Sequence, residues 1–144
     1  MKKLFLFTIL IFTSSLIFAA VNPDDILGVW QAGKGRGHIQ IFKEHGKYYG
    51  KLIWLTNPKD ANGKPKLDKN NPNAALRNKP LLGLTMLKDF KYDDGEWSGG
   101  QVYNPSDGKE YKAYIKLKDL NTLDLRGYIG ISLFGKTDTW IRVR

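Results

Sequence analysis

The chain contains no cysteine and only two histidines, His38 and His45. The first absence excludes disulfides, thiol chemistry and lipid attachment through an N-terminal cysteine, and it is compatible with an oxidising compartment without proving one. Two histidines without thiolates are a poor zinc donor set. Recognisable catalytic motifs are missing too. Gly33-Lys34-Gly35-Arg36-Gly37 is glycine-rich and cationic, but it lacks a Gly-Lys-Ser/Thr ending and no helical pattern follows, so it reads as a hairpin tip rather than a phosphate cradle. No Gly-x-Ser-x-Gly elbow is present, and Ser98, Ser106 and Ser132 sit in ordinary strand or turn contexts. Glu96, Glu110 and the aspartates offer no spacing that selects a catalytic pair, and most of these acids fall in turns. Asp60-Ala61-Asn62-Gly63 with Asp68 and Asn70 imitates a calcium loop, yet the glycine comes too early and Asn71 stands where the bidentate glutamate belongs. Five lysines or arginines between Lys59 and Arg77 also oppose a divalent cation. The expectation is a protein without catalytic residues, metal or cofactor.

Long apolar runs are scarce as well, with one exception at the start. Lys2 and Lys3 precede Leu4 to Val21, which carries no charge, and Ala19-Ala20 supplies small residues for cleavage. The stretch is diluted by Thr8, Thr13, Ser14 and Ser15, so it reads as a removed export signal over residues 1–20 rather than a retained anchor. That leaves residues 21–144 as one domain, periplasmic or secreted, large enough to bury about two-thirds of its unfolded surface. The formal charge is +9, and loss of Lys2 and Lys3 lowers it to +7. In an exported protein such charge favours envelope anions, lipid or glycan, over nucleic acid as partners, although lysines spread over solvent faces also keep strand edges soluble.

What the sequence does have is strand alternation. Ile26-Leu27-Gly28-Val29-Trp30 opens the domain, and seven more strand-like segments follow it. In His38–Lys43, Ile39 and Ile41 share one face. In Tyr48–Leu55, Tyr48, Gly50, Leu52 and Trp54 are expected together, opposite Ile53 and Leu55. Thr85–Tyr92, Glu96–Tyr103, Tyr111–Leu117, Thr122–Ile129 and Gly135–Arg142 complete the set, joined by Asp/Asn/Gly turns. Tyr111, Ala113, Ile115 and Leu117 alternate with lysines, and Leu123, Leu125, Gly127 and Ile129 repeat the inward set. Outside the N-terminal segment no helical period is sustained. The expected fold is all-β, a single eight-stranded up-and-down antiparallel barrel, in which Trp30 plugs one mouth and the two ends of the domain meet.

One connection is too long for a hairpin. Thr56–Pro80, between the third and fourth strands, is rich in Asn, Lys, Asp and Pro, and long loops in compact domains tend to be functional or disordered. Asn71-Pro72 suggests one helical turn with Asn71 as cap, and Leu76, Leu81, Leu82 and Leu84 suit docking of the loop onto the barrel. The candidate ligand-binding residues are Arg77, Trp54, Tyr103, Tyr111, Arg126 and Tyr128, aromatic rings and guanidiniums able to line a small pocket for a partly apolar or anionic molecule. Gly28, Trp30, Trp140 and Arg142 are assigned to structural closure of the barrel.

These motifs also carry a resemblance. Ile26–Trp30, Asp68–Pro72, Leu76–Gly83, Trp97–Pro105, Asp107–Tyr111, Leu125–Tyr128 and Thr139–Arg142 resemble, in order, the bacterial domain of unknown function (DUF) 2147 family. The resemblance implies an exported protein with a lipocalin-like, calycin-type barrel, and it carries no catalytic residues over. Two functions of different class remain open: a binder of a small amphipathic or anionic ligand in or at the mouth of the barrel, and an envelope interaction module with a filled barrel working through its basic surface and long loop. A hydrolase or isomerase ranks behind both.

Overall fold

A computed structural model describes residues 20–143; the expected export signal, apart from Ala20, lies outside the described residues. Eight strands follow in sequence: β1 (Gly28–Ala32), β2 (Gly37–Glu44), β3 (Lys47–Leu55), β4 (Thr85–Asp93), β5 (Glu96–Asn104), β6 (Lys109–Asp119), β7 (Thr122–Tyr128) and β8 (Gly135–Arg142). Each pairs antiparallel with the next, and β8 returns to β1, closing an up-and-down barrel. The closing seam is short, with Trp30 opposite Arg142 and Gln31 opposite Ile141.

Side chains compensate for that short seam. Arg142 lies over the Trp30 ring, 4.2 Å from its centroid. Its guanidinium donates to Leu120 O at 2.6 Å, Leu27 O at 2.7 Å and Asp25 O at 2.6 Å. The Trp30 indole donates in turn to Ile26 O at 2.8 Å. Gly28 is needed beneath this assembly: its φ is +127°, and a Cβ there would come within 2.7 Å of the Arg142 guanidinium. The residues before β1 form a 3₁₀ turn, Pro23–Ile26, held by a reciprocal Asn22/Asp25 capping box. Asp24 fastens that turn to the sheet by accepting from Tyr48 and Lys43. This end of the barrel is plugged.

The interior is filled by side chains. Trp30, Ile39, Ile41, Tyr48, Leu52, Leu87, Phe90, Trp97, Ile115, Leu123 and Trp140 form one buried cluster. Where bulky groups meet the wall, the wall is glycine. A Cβ on Gly50 would sit 2.8 Å from Leu87, and one on Gly100 would sit 2.5 Å from Phe90. Such contacts leave the barrel axis to packed hydrocarbon rather than to a ligand.

Three expectations need correction. Trp54 does not join Leu52 inside. A β-bulge pairs His38 with Trp54 but Ile39 with Leu52, so the alternation slips at Ile53. Trp54 is thereby turned out, 43 % exposed, while Leu55 packs against the core. At the other end of the sequence, β7 stops at Tyr128, and Ile129 stands 66 % exposed in the following loop. The helical turn in the long loop is the 3₁₀ turn Ala74–Leu76, capped by Asn73 rather than Asn71. Asn71 has a different partner, described below.

The two most buried indoles differ in one respect that can be measured. Trp30 Nε1 is hydrogen-bonded, whereas Trp97 Nε1 is buried with no partner among the described residues. Trp30→Phe is therefore expected to lose more stability than Trp97→Phe, by about 1 kcal/mol or more in urea unfolding. Trp30→Ala is expected to cost about 3–5 kcal/mol.

Candidate functional site

The plugged end carries the chain entrance and the β2–β3, β4–β5 and β6–β7 turns. The opposite end carries the long loop, the β5–β6 turn and the β7–β8 loop. It is there that the sequence-predicted residues separate into different environments.

Tyr103 is the first case. Gly100 and Val102 face the barrel interior, so alternation turns Tyr103 to the outer wall of β5. It is nevertheless only 5 % exposed, because the long loop lies over it. Its hydroxyl donates to Asp68 Oδ1 at 2.7 Å, and Asn71 Nδ2 donates to Asp68 Oδ2 at 2.7 Å. Asp68 is 1 % exposed and its backbone N–H bonds Lys79 O. A buried carboxylate with a donor on each oxygen is the condition under which such a charge is tolerated. Burial, and then the neighbouring Asp68 carboxylate, pushes the Tyr103 hydroxyl up to about 12.

A second anchor lies close by. Asn70 Nδ2 donates to Pro105 O at 3.1 Å and Ser106 O at 3.0 Å. Gly108 allows this contact, since a Cβ at its φ of +72° would collide with Asn70 O. The loop is also ordered internally, by bridges between Lys59 and Pro65 and between Leu67 and Pro80. Leu81 packs on the core, and Gly83 N–H donates to Leu52 O. The loop is thus clamped at several points along the outer face of β4–β6.

Between loop and wall lies a cleft of about 670 Å³, open to solvent along one side. Pro72, Leu76, Pro80, Leu82 and Leu84 give it an apolar lining, while Lys79, Lys88, Thr85, Tyr103 and Glu110 add polar groups. Lys88 is paired to Glu110 at 2.6 Å. Lys79 makes no ion pair among the described residues. Leu76 and Leu82, at 41 % and 42 % exposure, leave apolar surface accessible beside that cation.

The other candidates stand elsewhere. Arg77 donates from Nε to Asn71 O at 2.7 Å and braces the loop rather than lining the cleft. Trp54 stacks on His38 with centroids 4.4 Å apart. Tyr111 faces inward at the rim and its hydroxyl meets Asp107. Arg126 and Tyr128 lie on the outer wall of β7; Tyr128 borders a smaller hollow of about 300 Å³ with Gly99, Gly100 and Lys112. Arg126 is committed to the β7–β8 loop. Trp140, part of the buried cluster, donates to Asp138 at 2.8 Å. Of the six ligand candidates, only Tyr103 borders the larger cleft. Asp68, Lys79 and Leu82 are functional candidates that pattern reading did not select.

Residues 28–142 match the model of a family described as uncharacterized protein conserved in bacteria (DUF2147). The chain belongs to the DUF2147 family. Its structure is similar to a Helicobacter pylori protein described as "Protein HP1028 from the human pathogen Helicobacter pylori belongs to the lipocalin family", with TM-score 0.71, 28 % identity and 82 % of each chain covered. No curated protein matches the sequence. DUF2147 membership agrees with the resemblance carried by the ordered motifs from Ile26–Trp30 to Thr139–Arg142, and the lipocalin-like barrel with the fold that resemblance implies.

Tyr103→Phe leaves Asp68 with one donor fewer in a dry site, and a loss of about 1–3 kcal/mol is expected in urea unfolding at neutral pH. The raised Tyr103 value has a definite sign. Its stabilising contribution is complete below the ordinary tyrosine value near 10 and is lost as pH rises through about 12. Wild type is therefore expected to lose stability over that interval more steeply than Tyr103→Phe.

Proposed function

We propose that this protein is an exported, non-catalytic binder of small molecules that are apolar at one end and anionic at the other. The occupied site is the cleft between the long loop and the outer wall of β4–β6. The carrying observation is the combination of a packed barrel axis with a ligand-sized apolar groove that has Lys79 at its edge. A volume of about 670 Å³ falls in the range of small-ligand sites, and such sites pair apolar walls with a few placed polar groups. Lys79 supplies a cation with no ion pair among the described residues, Thr85 a hydroxyl, and Leu76, Leu82 and Leu84 a surface for hydrocarbon.

Two further lines support the reading. The uncharged stretch after Lys2-Lys3 favours work outside the cytoplasm. The lipocalin-like fold is compatible with small-ligand binding. A filled barrel favours the flank over a site in or at the mouth of the barrel, which the aromatic and guanidinium residues suggest.

Calorimetry with decanoate, decanol and decylammonium below their aggregation limits tests the proposal. Decanoate is expected to bind at one site and better than either counterpart. Lys79→Glu is expected to weaken it roughly tenfold, through lost and reversed charge, without change in melting temperature. Leu82→Asp is expected to abolish it. Absence of decanoate binding, or preference for decylammonium, contradicts the proposal.

A further inference from the structure

The β7–β8 connection places apolar side chains in water in a way that folding alone does not require. Ile129, Ile131, Leu133 and Phe134 are 66, 58, 75 and 75 % exposed. A single exposed leucine is ordinary, but four large apolar residues within six consecutive positions form a patch.

The loop that carries the patch is braced from the barrel wall. Arg126 reaches under the loop from β7, donating from Nε to Ser132 O at 2.8 Å and from Nη2 to Leu133 O at 3.3 Å. Its third nitrogen bonds Thr137 Oγ1 at 2.9 Å. Residues Ser132–Phe134 form a 3₁₀ turn, and Gly135 packs so tightly that a Cβ there would lie 2.7 Å from Gly127 O. Ser132 O and Leu133 O accept from Arg126 and Ile131 O accepts from the Phe134 N–H, while the apolar side chains stay outside.

The surroundings are cationic. From Leu125 to Thr137 the chain carries Arg126 and Lys136 and no acid, and from Ala32 to Gly37 it carries Lys34 and Arg36 and no acid. The turn bearing Lys34 is fixed beside β8 by Gly33 N–H donating to Asp138. Asp138 itself is engaged, since the same oxygen also accepts from Trp140.

We infer that the β7–β8 loop is a membrane-contact element, inserting Ile131, Leu133 and Phe134 at the interface of an anionic bilayer while Lys34, Arg36 and Lys136 meet its headgroups. Apolar tips bordered by cations combine the two attractions that hold peripheral proteins on such surfaces. Charge separates this occupant from a second copy of the chain, whose matching face would bring like charges together. The inference goes beyond the cleft, which lies on β4–β6. It is also distinct from tethering by the N-terminal segment, because the chain enters at the plugged end, where Tyr92 donates to Val21 O.

The full chain lacks cysteine, so a Leu133→Cys variant carrying an environment-sensitive dye reports this loop alone. Leu120→Cys, 61 % exposed at the plugged end, is the control. With phosphatidylcholine vesicles containing roughly one-third phosphatidylglycerol, the dye at 133 is expected to shift to the blue and the dye at 120 to stay unchanged. Replacing Lys34 and Lys136 by Gln is expected to weaken the titration about fivefold for each cation removed. The inference is overturned by no shift at 133, by an equal response to pure phosphatidylcholine, or by a titration indifferent to both lysines. It is equally overturned by a shift at 120 instead, or by a vesicle-free, concentration-dependent shift at 133 that marks a dimer.

Discussion

Arg142 seated on Trp30 is the contact on which the remaining architecture depends. The closing strands share only two paired positions, too few to hold a barrel shut by ladder hydrogen bonds alone. One guanidinium binds carbonyls from before β1 and from the β6–β7 turn while covering the indole that fills that end. A lysine would offer a point charge without the planar fork, so the position is specific for arginine. Gly28 is the backbone counterpart of this choice, because no side chain fits between it and the guanidinium.

Closure at that end has consequences for function. Trp30, Phe90, Trp97 and Trp140 belong to the buried cluster that fills the barrel. Groups that remain available gather at the far end and on its flanks. The long loop contributes a groove because Asp68 and Asn70 clamp it against the outside of the sheet. The β7–β8 loop contributes an apolar tip because Arg126 holds it away from the sheet. Each feature is built by a buried or bracing polar group, which explains how loops rich in Asn, Lys and Gly keep defined shapes.

Much of the fold was legible in local sequence. Strict alternation in β6 and β7, the Asp93-Asp94-Gly95 and His45-Gly46 turns, and the terminal Gly-x-Trp and arginine each point to the strands and closure observed. Period-two patterns fail where register changes. The bulge beside His38 turns Trp54 outward, and nothing within Tyr48–Leu55 announces it, because a bulge is a property of the pair of strands. The site was less legible for a similar reason. Tyr103 reads as a pocket-lining aromatic, yet it is buried from outside by residues more than thirty positions away. Asp68 looks like one of many turn acids until its partners are seen. Arg77 and Arg126 were singled out for chemistry that suits guanidinium in general, and both spend it on backbone carbonyls.

The proposal most open to direct measurement is that ligands meet the outer flank of the barrel and not its axis. Amide chemical-shift mapping of the labelled protein during decanoate addition addresses it. The largest changes should fall on Asn71, Leu82, Thr85, Lys88 and Tyr103, with Ile39, Ile115 and Leu123 unmoved. Changes centred on those three interior residues instead would mean that the packed core opens to admit the ligand, and the flank site would be wrong.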